Sequence, residues 1–310
     1  QRGLDLAAST TPRRSVYLPN GGGSYFFATP ITWRTQVSFR GDGKQNTRIR
    51  WVGDDATWAI HAESGGCYDL SMKDFSLSGV EFTATAKLLN HRKFRYSTVE
   101  NVILSDCMVC LITGDSWGNL YINNQFVPRI SSPTESYTGC VGVWVEDGRL
   151  VSNYTTFIHN RFQFCEVGLL VKSGGRNYSV TGGNIFESCG TGIRISQQFV
   201  RNFVVTGNYF EFLKFGPVWL EVTGMIGWMN GLTMSDNYII CNASEFGVIK
   251  ISGTATTNRG SVVIENNAVE FNAADNEPTS GVFLYTPNGT SRINITYNQR
   301  HIVNPFNNTE

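Results

Sequence analysis

Asn160-Arg161-Phe162-Gln163, Asn184-Ile185-Phe186-Glu187, Asn208-Tyr209-Phe210-Glu211, Asn237-Tyr238-Ile239-Ile240 and Asn267-Ala268-Val269-Glu270 share one pattern, spaced by 24, 24, 29 and 30 residues. An alternating apolar run precedes the asparagine, as in Phe203-Val204-Val205 and Val262-Val263-Ile264. A short run follows it, centred on Phe162, Phe186, Phe210, Ile239 or Val269. A third run opens near a glycine, as in Gly142-Val143-Trp144-Val145, Gly168-Leu169-Leu170-Val171 and Gly192-Ile193-Arg194-Ile195. Alternation with period two, filled by β-branched and aromatic residues, marks strands, and no helical spacing competes with it here. Three short strands cannot bury an apolar face alone, so such units stack into a parallel β-solenoid. Strands of successive turns then lie about 4.8 Å apart and equivalent residues form columns. The asparagines are expected to form one column, with their amides bonding along it.

The first 150 residues carry the same texture less regularly. Trp33 to Arg40 reads as a strand leading into the turn Gly41-Asp42-Gly43, and Thr47 to Trp51, Leu70 to Leu77 and Ser97 to Leu104 all alternate. Pro128 to Gly139 is polar and reads as a long loop. No domain boundary is visible. The expectation is one β-helix domain over 1–310, with a capping-helix remnant and lead-in at 1–15 and coils over 16–310. The start, Gln1 to Ala8, and the end, Asn304 to Glu310, suggest a fragment of a longer chain.

Composition narrows the function. Of 310 residues only 16% are charged, and 25 Lys and Arg balance 25 Asp and Glu. A chain without a basic excess is a poor polyanion binder, so nucleic acid is not expected as a partner. No apolar run of about 18 residues suggests membrane insertion. Seven cysteines, an odd number set mostly in apolar runs, read as buried free thiols. Cys107-Met108-Val109-Cys110 has no matching second half, so neither a metal nor a cofactor is expected.

Leu6-Ala7-Ala8, Ser15-Val16-Tyr17-Leu18-Pro19-Asn20-Gly21, Arg40-Gly41-Asp42-Gly43 and Thr47-Arg48-Ile49-Arg50-Trp51 resemble the opening of the pectate-lyase-like right-handed β-helix superfamily. There a capping helix is followed by a V-Y-L-P-x-G strand and an x-G-x-G turn. Bacteriophage tailspikes and capsule depolymerases form a large group with this opening. The resemblance implies an all-β right-handed parallel β-helix and a bacterial polysaccharide as partner. It also implies a homotrimer, in a virion tail if the source is a phage and otherwise secreted. It does not choose among hydrolase, lyase, epimerase and non-catalytic binder, because one architecture hosts all of them.

Gly114-Asp115-Ser116-Trp117-Gly118 matches G-x-S-x-G, but a nucleophile elbow needs a helix after it, and Asn119 to Asn123 reads as strand. The carboxylates say more. Glu187 and Glu211 each stand three residues after a column asparagine. If Phe186 and Phe210 point inward, both glutamates point outward as vertical neighbours, a pair suited to acid and base or nucleophile in a glycoside hydrolase. A second outward face carries Trp144, Leu170, Arg194, Trp219, Lys250 and Phe283, beside Glu146, Lys172, Ser196, Glu221, Ser252 and Tyr285. Exposed tryptophans among charges suit sugar binding by Trp144, Glu146, Lys172, Arg194, Trp219 and Glu221. Lys172 with Arg194 would serve the alternative of a polysaccharide lyase, as base and carboxylate neutraliser. The Trp144–Trp219 face alone would serve a non-catalytic glycan-binding or structural module.

Overall fold

A computed structural model describes residues 2–9, 15–54, 57–79, 86–128, 139–146, 152–173, 175–196, 200–214, 216–221, 229–241, 249–252, 259–271 and 292–303. They form one short helix, Arg2–Ser9, and a parallel β-solenoid. Each turn contributes a strand to a nine-stranded sheet, as with Val141–Glu146, Val167–Ser173, Thr191–Ser196 and Val218–Glu221. It then contributes two strands to an 18-stranded sheet that bends at the asparagine corner, as with Gly175–Thr181 and Ile185–Glu187. Phe39–Arg40 is separate from Ile31–Trp33. The run from Trp33 to Arg40, expected as one strand, therefore turns a corner, with Gln36 in the left-handed region at φ 58.

The register explains the repeat. Phe162 pairs with Phe186 and Phe186 with Phe210. All three are fully buried, and their rings stack at centroid distances of 4.5 and 4.9 Å. Each such burial stabilises by about 1.5–3 kcal/mol, and each stacked pair adds about 0.5–1.5 kcal/mol. The rings need room, and the glycines that open the third strand provide it. A Cβ on Gly168 would stand 2.7 Å from the Gly192 carbonyl oxygen and 2.8 Å from Phe186 Cδ1.

The asparagine column is longer than the repeat alone indicates. Asn124, Asn160, Asn184, Asn208, Asn237 and Asn267 are all buried. Each Nδ2 donates to the Oδ1 of the next, at 3.0, 3.0, 2.8, 3.0 and 2.8 Å. The same Oδ1 accepts the backbone N–H of the asparagine one turn back, as in Asn160 N–H to Asn184 Oδ1 at 2.9 Å. The amide thus satisfies a backbone group stranded at a corner, which would otherwise be costly to bury. The residue before each asparagine turns the chain with positive φ: His159 at 53, Gly183 at 80, Gly207 at 65, Asp236 at 55 and Asn266 at 53. These are types that tolerate the left-handed region.

The six described thiols are free and buried. Cys165 and Cys189 stack with sulfurs 3.5 Å apart. Burial pushes the Cys67 thiol up to about 11 and those of Cys110 and Cys165 well above their usual value. Polar groups also lie inside. His91 is fully buried, stacked on Phe94 at 4.1 Å, with Nδ1 2.7 Å from the Tyr121 hydroxyl.

Candidate functional site

The alternation places Glu187 and Glu211 where the sequence suggests. They are direct register partners on adjacent turns, half-buried on the outside of the solenoid. Two carboxylates one strand spacing apart need compensation, and the neighbouring positions supply it. Arg161 Nη2 donates to Glu187 Oε2 at 2.6 Å, and Gln163 Nε2 donates to the same oxygen at 2.9 Å. Both donors lie on the preceding turn, so the Glu187 carboxylate leans away from Glu211. Glu211 accepts from the Tyr209 hydroxyl on its own strand. Burial, that bond and the negative charge of Glu211 raise the Tyr209 phenol to about 12, so it stays a donor at neutral pH. Tyr209 stacks on Tyr238 at 5.7 Å, and the Tyr238 hydroxyl donates to Glu270. The result is a ridge of carboxylates backed by phenols and one guanidinium. Arg161, Gln163 and Tyr209 went unassigned in the sequence, although their fixed offsets from the column asparagines would have placed them.

The second face forms with two corrections. Trp144, Leu170, Arg194, Trp219 and Lys250 do stack in register along the nine-stranded sheet. The tryptophans, however, are half-buried rather than exposed, because cations lie on them. Lys172 Nζ stands 4.5 Å from the Trp144 ring centroid and Arg194 Cζ 4.3 Å from that of Trp219. The second column is interrupted. Glu146 pairs with Ser173 across a bulge, so Lys172 slips out of line with it and folds back over Trp144. Arg194 Nη2 also bonds Glu221 Oε2 at 2.9 Å, across one turn. Lys172 and Arg194, paired in the sequence reading as base and neutraliser, are thus each engaged with a different tryptophan. Glu146 and Glu221 remain three strand steps apart, about 14 Å. The side chains of Lys250 and Ser252 and all of Phe283 and Tyr285 lie outside the described residues.

A third place was not foreseen. At the N-terminal end of the nine-stranded sheet a cavity of about 640 Å³ is lined by Trp58, His61, Asn90, Arg92, Lys93 and Asp115, among others. Asp115 comes from the G-x-S-x-G segment. Ser116 of that segment is fully buried and bonded to Thr113 Oγ1 at 3.2 Å, and the strand Leu120–Ile122 follows, which rules out an elbow. The early turns vary in length, so no sequence period shows that Asp115 and Arg92 line one hollow.

Among the described residues no cluster of three or more His, Cys, Asp or Glu could hold a metal ion, and no helix is long and apolar enough to cross a membrane.

The family model for the right handed beta helix region matches residues 141–308, more than half of the chain, and the chain belongs to that family. No curated protein matches it in sequence. Among solved structures it is similar to endo-xylogalacturonan hydrolase from Aspergillus tubingensis, with TM-score 0.70, 12% identity, and 93% of this chain and 85% of that one covered. It is similar to the surface protein and adhesin PfbA of Streptococcus pneumoniae, with TM-score 0.60, 12% identity, and coverage of 97% and 92%. It also resembles a tailspike protein double mutant of E. coli bacteriophage HK620 in complex with pentasaccharide, with TM-score 0.67, 12% identity, and coverage of 98% and 62%. At such identities the likeness is one of fold.

Proposed function

We propose that this chain binds a bacterial surface polysaccharide and hydrolyses it, with Glu187 and Glu211 as the catalytic carboxyl groups, in an extracellular or virion-tail setting. The observation that carries the reading is the register pairing of two outward glutamates whose flanking side chains already complement them. A hydrolase needs one carboxyl group to protonate the leaving oxygen and a second to attack or to activate water. Glu187, ion-paired to Arg161, suits the anionic partner, nucleophile or base. Glu211, with no guanidinium beside it among the described residues, takes the remaining role of acid. The lean of Glu187 toward the preceding turn lengthens the gap beyond one strand spacing. That favours the separation of about 6.5–9.5 Å used for inversion over the roughly 5 Å used for retention. The similarity to a hydrolase, an adhesin and a tailspike supports a glycan-handling role without choosing among them.

The test is incubation with a panel of capsular and O-antigen polysaccharides, followed by mass spectrometry of the products. Fragments carrying one added water support hydrolysis. Unsaturated fragments without added water would favour elimination, and binding without fragmentation would favour the non-catalytic module on the Trp144–Trp219 face. Glu187→Gln and Glu211→Gln should each lower the rate by about a hundredfold or more while folding and glycan binding persist. Unchanged activity in either variant removes that residue from the mechanism.

A further inference from the structure

We propose that the corner where the strands Ser152–Ile158, Gly175–Thr181 and Val200–Thr206 begin is a binding track for an acidic polysaccharide, laid along the solenoid axis and separate from the Glu187–Glu211 pair. The inference rests on a polysaccharide as partner and not on its hydrolysis. On each turn these strands run from the track to the asparagine corner, and the glutamates lie beyond that corner. Two outward columns make the track. In the first, Arg95, Trp117, Asn153, Arg176 and Arg201 follow one another in register, one per turn. In the second, Tyr96, Gly118, Tyr154, Asn177 and Asn202 each come one residue later, and all take positive φ.

The second column carries aromatics where the backbone disfavours them. The left-handed region suits Gly, Asn and Asp, and the turns with Gly118, Asn177 and Asn202 obey that rule. Tyr96 at φ 51 and Tyr154 at φ 57 break it, and both are exposed, at 65% and 68%. A bulky side chain there strains the backbone and gains little from burial, so folding does not account for it. Gly118 keeps the space between them open, since a Cβ on it would stand 2.7 Å from Tyr96 Cδ1. Tyr96 and Tyr154 lie two strand steps apart, about 10 Å. Trp117 lies beside that gap, with Arg95 Cζ 4.3 Å from its ring centroid. Exposed aromatic faces in a row mark a binding surface, and sugar rings stack on them.

The first column carries charge that the described chain leaves uncompensated. Elsewhere an outward arginine meets a carboxylate one turn away, as Arg161 meets Glu187 and Arg194 meets Glu221. Arg176 instead has Arg201 as its direct register partner, about 4.8 Å along the stack. Among the described residues no carboxylate pairs with either, and Arg176 Nε is buried without a hydrogen-bond partner. The next outward positions on these strands, Thr156, Ser179 and Val204, are uncharged. Two adjacent like charges favour an anion between them, and a guanidinium fork matches an oxyanion. Beside them Asn202 Nδ2 donates to Asn177 Oδ1 at 3.0 Å, and the remaining amide groups suit sugar hydroxyls. Asp69 precedes Tyr96 by one turn, so the surface is not uniformly basic, and the chain's zero net charge gives it no long-range pull on nucleic acid. Aromatic rings followed by paired cations fit a sugar polymer that bears acidic groups.

The test is a calorimetric titration of the whole chain with polygalacturonate, dextran sulfate, neutral dextran and a single-stranded oligonucleotide. The first two distinguish carboxylate from sulfate as the recognised group. At least one of them should bind about tenfold or more tightly than dextran, with the preference weakening as salt rises. Arg176→Ala combined with Arg201→Ala should remove that preference. Tyr154→Asn puts at this turn the residue that Asn177 and Asn202 place at theirs. It should leave the unfolding midpoint unchanged or higher while lowering affinity severalfold, whereas a merely structural tyrosine would lower the midpoint and leave affinity alone. The readout is binding, so the track can fail while the chain still cleaves a glycan through Glu187 and Glu211, and the reverse. Equal affinity for dextran, tighter binding of the oligonucleotide, binding of no polymer, or undiminished binding in both the double arginine variant and Tyr154→Asn would overturn the proposal.

Discussion

Replacing His91 by phenylalanine should make the fold more resistant to acid. His91 is fully buried between Phe94 and Tyr121, and Nε2 has no hydrogen-bond partner. Burial disfavours the charged ring and lowers its pKa from 6.5 to about 3. The sign follows from linkage. In the folded chain the ring stays neutral down to about pH 3, whereas in the unfolded chain it takes a proton below about 6.5. The unfolded state therefore gains protons that the folded state cannot, and stability falls as pH drops through that window, while above 6.5 the group is silent. At pH 4.5 the unfolded state is favoured by about two pH units of binding, or about 2.7 kcal/mol. Phenylalanine cannot titrate, keeps the stacked contact with Phe94, and removes one bond to Tyr121, whose hydroxyl retains Thr113 and Asn119. The cost at pH 7.5 should be about 1 kcal/mol. Guanidinium unfolding followed by tryptophan fluorescence at pH 7.5, 6 and 4.5 gives the two curves. His91→Phe should be the less stable protein at 7.5 and the more stable at 4.5, with a net change near 2.7 kcal/mol. A difference between the two proteins that does not vary with pH would refute the reasoning.

Two further outcomes follow from the stacking. Asn184→Ala removes the acceptor of the Asn160 backbone N–H and of one Asn160 amide hydrogen, both buried, so chemical denaturation should show a loss of about 3 kcal/mol. Gly168→Ala drives a methyl group into the Gly192 carbonyl and the Phe186 ring, and should lower stability by about 1–3 kcal/mol with a visible change in near-ultraviolet circular dichroism.

How far the sequence reveals the structure depends on where periodicity holds. From Asn160 onward, the spacing places Phe186 inside and Glu187 outside without ambiguity, because a strand's faces alternate and the asparagines mark the corner of each turn. The glutamate pair follows from that alone. The sequence pattern does not show which way a long side chain leans. Lys172 departs from its column because it is itself the extra residue, standing between Val171 and Ser173 opposite the single step from Val145 to Glu146, and the two tryptophans are capped because Lys172 and Arg194 fold onto them. Such choices depend on competing contacts within a few ångströms, which residue order does not encode. The cavity was illegible for a different reason. Its walls come from Trp58, Arg92 and Asp115, in turns whose lengths share no period, so no repeat in the sequence aligns them.

The charges show how one stack encodes both register and site. A slip of one turn would leave phenylalanine on phenylalanine and asparagine on asparagine, so neither ladder fixes the pairing by itself. The described ion pairs do: Arg34–Glu63, Arg40–Asp74, Arg161–Glu187 and Arg194–Glu221 each join neighbouring turns, and Asp5–Arg34 joins the helix to the solenoid. Pairing Tyr209–Glu211 directly with Arg161–Gln163 would displace Ile185–Glu187 and leave Glu187 without its cation. Each exposed pair adds at most about 1 kcal/mol, but what matters for uniqueness is the difference between pairings, and several such differences accumulate along the stack.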